Sequence, residues 1–203
     1  MKHEKAEREE VPVGMHTGIM YAVVDQGTQK PNFADGNNDP RPEMRLVWEL
    51  PDCPLSDGRP MVIDKTYNMR LTDNSNYVAD MKAWTGIDPR DRPDAEAFLR
   101  DLLGRGCNLN VILNKNGRPK VSSVAPLKKS EVTPPPVNPL VFVNLDNFDP
   151  AEFAKLPEWL QKIVQASPEY LEATGQGKAE GYHGKQQEVA APAGHPAFDE
   201  PEF

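Results

Sequence analysis

The hydrophobic period of this chain changes twice, and those changes limit the folds open to it. "EMRLVWEL" (Glu43–Leu50) alternates, with Met44, Leu46, Trp48 and Leu50 facing one way and Arg45, Val47 and Glu49 the other. "MVIDKTYNMRL" continues in twos, with Ile63, Lys65, Tyr67 and Met69 on one face. "SNYVADMKAWTG" then places Tyr77, Val78, Met81 and Trp84 at helical spacing, between a Ser75 cap and a Gly86 stop. "PDAEAFLRDLLG" is a second short helix ending at Gly104. "CNLNVILN" and "KVSSVAPL" return to strands on either side of "KNGR", whose Asn116-Gly117 pair marks a hairpin turn. Ahead of all these, "GMHTGIMYAVVDQGTQ" (Gly14–Gln29) is one long strand, its glycines signalling a bulge or strong curvature.

Three strands, a helical insert and two strands describe a mainly β fold, a five-stranded OB-like Greek-key barrel. An SH3-like barrel or an open sandwich fits the same periodicity. The expected organisation is a charged flexible leader (1–13), the barrel (14–127), a Pro-rich linker with a helical extension packed on the barrel (128–174), and a disordered acidic tail (175–203). Within the extension Pro134–Pro136 stiffen the crossing. "LVFVNLDNF" is a candidate extra strand, and "LPEWLQKIV" and "SPEYLEATG" are short helices. Leu156, Trp159, Leu160, Ile163 and Val164 form one apolar side, suited to packing on the barrel or to a protomer or partner contact. After Gly175 large apolar residues almost vanish, so that stretch buries too little surface to offset the cost of ordering.

The net charge of −8 is unevenly spread. Gly14 to Ser130 carries 16 basic and 15 acidic residues, whereas Glu131 to Phe203 carries 4 and 12. A near-neutral body beside an acidic tail remains compatible with a polyanion partner. No apolar run is long enough for a membrane span, and "MKHEKAEREE" has no apolar core of a signal peptide, so the expectation is a cytoplasmic protein with no membrane partner. His3, His16, His183 and His195 are scattered, and Cys53 and Cys107 have neither metal nor redox spacing. There is no phosphate-binding G-x-x-x-x-G-K-[ST] loop and no nucleophile elbow. The expectation is therefore a non-enzyme with no catalytic residue, no metal and no cofactor.

The end of the chain, "AFDEPEF", resembles the acidic tip of bacterial single-stranded DNA-binding proteins, where an OB domain and flexible linker lead to acidic residues, a proline and a final Phe. Phe198, Asp199, Glu200, Pro201, Glu202 and Phe203 carry the likeness; Glu202 stands where the bacterial tip has an apolar residue. The runs "RLVWELP", "GRPMVIDKTYNMRL", "GCNLNVILNKNGRPKVSSVAPL" and "NPLVFVNLDNFDPAEFAKLPEWLQKIVQASPEY" resemble phage-encoded proteins taken to be OB-fold single-stranded DNA-binding proteins. The resemblance implies a protein that coats single strands in host cytoplasm during phage replication or recombination. It also implies that the tip docks replication or recombination enzymes and competes with DNA for the binding face. Homo-oligomerisation stays open.

Binding single strands without sequence preference takes a positive groove for phosphates and aromatic faces for bases. The candidates are Tyr21 on the first strand, Arg45 on the second, Lys65, Tyr67 and Arg70 on and after the third, and Lys115, Arg118 and Lys120 around the hairpin. Trp48 and Trp84 are expected in the core. The rival reading is an interaction or assembly accessory module of the same fold without the groove; a nuclease built on scattered carboxylates is more distant.

Overall fold

A computed structural model describes residues 9–30, 38–128 and 130–176. Its sheet is organised around β1 (Gly14–Gln29), whose Val, Ile and Thr content suits a pleated surface. One edge of β1 runs antiparallel to β2 (Arg41–Pro54), from Ile19 opposite Glu49 to Gln29 opposite Arg41. The other edge is divided. Gly14–Ile19 pairs antiparallel with β4 (Gly106–Leu113), and Ala22–Val24 pairs in parallel with β6 (Val141–Val143). Between them Met20 N donates to Arg105 O at 3.1 Å and Met20 O accepts from Gly104 N at 2.7 Å. With β3 (Pro60–Asn68) beyond β2 and β5 (Pro119–Ala125) beyond β4, the antiparallel order is β3-β2-β1-β4-β5. The five expected strands are present, and the candidate extra strand in "LVFVNLDNF" forms as β6, which makes six.

The glycine-rich first strand is irregular, as its sequence implies. Its register against β2 shifts between Met20 and Ala22, and again between Asp25 and Thr28 around Gly27, whose φ is 64°. The first shift turns Tyr21 and Ala22 to the same side, because a bulge sets two residues against one. Met20 and Val23 consequently join one core, Ala22 and Val24 another.

The sheet therefore has two buried faces. Leu46, Trp48, Leu50, Ile63, Leu109 and Val121 meet α1 (Asn76–Thr85) and α2 (Ala95–Arg100) in the first core. α1 begins where Ser75 accepts from Val78 N and stops at Gly86, which has a φ of 75°. Its Tyr77, Val78, Met81 and Trp84 are buried, and the Trp84 indole N–H donates to Gly106 O at 3.1 Å. Each fully buried Leu or Ile here contributes about 1.5–3 kcal/mol. On the opposite face, α3 (Pro150–Ala154), α4 (Glu158–Gln165) and α5 (Pro168–Ala173) bring Phe153, Leu160, Val164 and Tyr170 against Ala22, Val24, Val47 and β6. The extension is a second half of the core, covering a face that alternation along β2 alone would leave polar and outward.

Glu49 shows what that covering requires. It has no exposed surface, and a buried carboxylate must be matched by donors. The Pro-rich crossing provides them: Val137 N at 2.7 Å, Asn138 N at 2.8 Å and Asn138 Nδ2 at 2.7 Å.

The hairpin between β4 and β5 closes with a slightly longer turn than the Asn116-Gly117 pair alone suggests. Asn114 O accepts from Gly117 N, and Asn114 Oδ1 accepts from Asn116 N and Arg118 N. Only Gly117 in this turn takes a positive φ, 71°. Among the described residues no helix is long and apolar enough to cross a membrane. Most of the expected leader and tail, and the whole tip Phe198–Phe203, lie outside the described residues.

Candidate nucleic-acid interface

β3 and β5 end the strand order, yet they touch each other. No backbone ladder joins them. The slot is tied instead by Lys65, which reaches the β5 backbone and shares the Asp80 carboxylate of α1 with Tyr67. Lys65 Nζ donates to Asp80 Oδ2 at 2.6 Å and to Ser122 O at 3.2 Å, and the Tyr67 hydroxyl donates to the same Asp80 oxygen at 2.9 Å. β3, α1 and β5 thus meet at the Lys65 ammonium, whose partner Asp80 is 8% exposed.

This geometry corrects two of the expected contacts. Tyr67 is 1% exposed and its ring packs edge-on against Tyr77 at 5.7 Å, so it offers no face to a base. Burial, with Asp80 beside it, raises its hydroxyl well above the usual tyrosine value. Lys65 keeps its charge engaged with Asp80 and its ammonium 5.3 Å from the Tyr67 ring, so it closes the slot rather than standing free for phosphate. Alternation places both on one face of β3, as expected; that face is the inner one.

Two recesses flank the tie. One, of about 350 Å³, lies over the slot and is lined by Asp64, Lys65, Thr66, Asn76, Ile112, Lys120, Val121 and Ser122. The other, of about 410 Å³, lies on the far side of α1's first turn and is lined by Arg41, Thr66, Tyr67, Asn68, Arg70, Thr72, Asn74, Ser75 and Asn76. Thr66 and Asn76 border both, so the two adjoin along a polar track. Hydroxyl and amide groups of this kind hydrogen-bond phosphate and sugar without reading sequence.

Cations sit along the track. Arg70 is exposed, its guanidinium donating to Pro40 O at 2.9 Å. Lys120 is exposed at the slot, and Lys115 and Arg118 are exposed on the hairpin. None of these four forms an ion pair among the described residues. Arg41 faces Glu43 at 3.0 Å. Sequence reasoning finds the four cations but misses Thr66, Asn68, Asn74 and Asn76, whose only signal is an exposed polar run beside a helix cap.

The remaining two candidates lie on the other face of the sheet. Tyr21 is half-buried at the bulge against the second core; burial, with Glu49 and Asp64 nearby, pushes its hydroxyl up to about 12. Arg45 Nη1 donates to Asp64 Oδ1 at 2.6 Å, and its guanidinium carbon lies 5.1 Å from the Trp159 ring centroid. Trp159 itself is 51% exposed, although Leu160 and Val164 of the same helix are buried. Trp48 is fully buried and Trp84 nearly so, as expected.

Among the described residues no group of three or more His, Cys, Asp or Glu side chains is placed to hold a metal ion. Cys53 and Cys107 are both free thiols. No protein-family model and no curated protein matches this chain.

Proposed function

We propose that this protein binds single-stranded DNA without sequence preference, through an OB-like body whose track runs past the β3–β5 slot. The observation that carries the reading is that the two polar recesses adjoin, sharing Thr66 and Asn76, with Arg70 lining one and Lys120 the other. Lys115 and Arg118 stand at the hairpin beyond, where OB domains hold a loop that clamps the strand. Three features support the OB-like form: the element order, the helix between the third and fourth strands, and the contact of β3 with β5. The slot between those strands is bridged by side chains rather than a ladder.

The proposed action is coating, not catalysis. Phosphate neutralisation by the exposed cations supplies affinity, and the strand is held without base readout. The resemblance of Phe198–Phe203 to the bacterial tip adds the proposal that the acidic tail competes for this track and recruits replication or recombination enzymes, as a phage-type protein of this trade would.

Fluorescence anisotropy of a labelled dT 30-mer at two salt concentrations, with duplex competitor, tests the reading. Tight binding that weakens steeply with salt and resists duplex is the expected result, and removal of Gly175–Phe203 is expected to tighten it at low salt. Absence of binding at micromolar protein, with the tail removed, overturns it. One observation favours the rival interaction module: Val13 and Met15, before and at the start of β1, and Ile112 and Leu113, at the end of β4, are exposed apolar residues.

A further inference from the structure

We infer that Trp159 is the base-stacking platform of this interface, an inference that rests on the single-strand reading above. Stacking requires an exposed π-face, and the expected tyrosines do not provide one: Tyr67 is in the core beside Tyr77, and Tyr21 is half-buried. Among the described residues Trp159 is the one exposed aromatic side chain.

Its setting is that of a prepared surface. Trp159 leads α4 from the rim while Leu160 and Val164 anchor the helix in the second core. Arg45 stacks on the indole at 5.1 Å and is itself fixed by Asp64 at 2.6 Å. A guanidinium on a tryptophan face is favourable and holds the ring against rotation. The indole thus stays half exposed in a defined pose, and little side-chain freedom is left to lose on stacking.

The position favours a base over an apolar protein patch. Arg45 is the cross-strand partner of Thr66, the residue that borders both recesses. Val62, Asp64 and Thr66 form that face of β3, and Glu158 and Lys162 pair with each other at 2.7 Å on the helix. A ring held by Arg45, whose partner Asp64 lines the slot recess, suits a flat aromatic ligand whose own edges are polar. The strand would follow the track and turn one base onto Trp159 over the β3 edge.

Tryptophan emission tests this directly, because Trp48 and Trp84 are buried and a base can reach only Trp159. The full chain is titrated with dT 30-mer while emission and anisotropy are both recorded. The expected result is quenching that saturates with the anisotropy curve and disappears in Trp159→Phe. Trp159→Ala is expected to weaken binding about tenfold with an unchanged salt slope, since stacking neutralises no phosphate. Normal binding without quenching, with Trp159→Ala as tight as the parent, overturns the inference and leaves the single-strand reading standing. Absence of any binding overturns both. Trp159→Phe changes little surface, so the quenching comparison holds even if the alanine variant fails to fold.

Discussion

Glu49 Oε2 accepts from both the backbone and the side-chain nitrogen of Asn138, at 2.8 and 2.7 Å. With Val137 N on the other oxygen, a strand of the first sheet half is bolted to the crossing that leads to the second. Glu49→Ala leaves three donors without their acceptor and is expected to cost about 3–5 kcal/mol in urea unfolding. Glu49→Gln keeps one good acceptor and should cost less. Equal losses for the two would show that the carboxylate is not what holds the crossing.

Asp80 is expected to matter to stability as a hub. Asp80→Ala leaves the Lys65 ammonium and the Tyr67 hydroxyl without their shared acceptor, a loss of about 2–4 kcal/mol, whereas Tyr67→Phe removes one hydrogen bond, about 1 kcal/mol. The double variant should be less destabilised than the sum, because both act through one carboxylate. Chemical denaturation of the four proteins measures the coupling; strict additivity would contradict the shared site.

Gly27 and Gly117 both have positive φ but differ in what surrounds them. A Cβ at Gly27 would lie 2.6 Å from Ser167 Oγ and 2.7 Å from Glu169 Oε2, while one at Gly117 meets nothing within 4 Å. Gly117→Ala should cost only the left-handed backbone strain, about 1–2 kcal/mol. Gly27→Ala adds the collision with α5 and should cost about 3 kcal/mol or more. Thermal unfolding ranks them, and the reverse order would refute the contact.

Glu169 gives stability a pH dependence. Burial alone would raise its carboxyl, but Thr28 N at 2.8 Å and the Thr28 hydroxyl at 2.5 Å donate to it and bring it below the usual glutamate value. A depressed folded value favours the ionised, folded form. Its contribution is therefore complete above the unfolded value of about 4.3 and fades as pH falls through the lower folded value. Between pH values of about 5 and 3 the parent protein's Tm should fall more steeply than that of Glu169→Gln; parallel curves would refute the assignment.

Arg70, Lys115, Arg118 and Lys120 make a different prediction, on binding alone. Each is exposed, so its replacement by Ala should leave Tm nearly unchanged. Removing one phosphate-binding cation should reduce the steepness of log affinity against log salt by about one unit. Lys65→Ala should behave oppositely, losing stability first, because its ammonium is committed to Asp80. A salt dependence that stays the same in all four alanine variants would remove these cations from the track.

The succession of strands and helices, and one side of the core, are readable because alternation and helical spacing are local. Met44, Leu46, Trp48 and Leu50 can be placed on one face from "EMRLVWEL" alone, and Ser75 and Gly86 bracket α1 as caps do. Alternation does not say which face has a second covering, so Glu49 reads as solvent-facing and is fully buried. It also does not separate an inner lysine from an outer one, which is why Lys65 and Tyr67 read as DNA contacts. Trp159 belongs by spacing to the apolar side of its helix, with Leu160 and Val164. A helix of two turns on a curved sheet edge leaves one such residue at the rim, and only the three-dimensional position of Arg45 reveals it.

The shared edge of β1 has a consequence for how the chain must be made. β1 is synthesised early, β4 covers only its first part, and Ala22–Val24 waits for Val141–Val143 from the far end of the folded region. Until those three residues emerge from the ribosome, the growing chain carries an uncapped apolar strand edge, the kind of surface on which nascent polypeptides pair with the wrong neighbour. Among the described strands the last to arrive is the one that makes the first safe, so a chain interrupted before Val141 should be a client for chaperones rather than a smaller working domain.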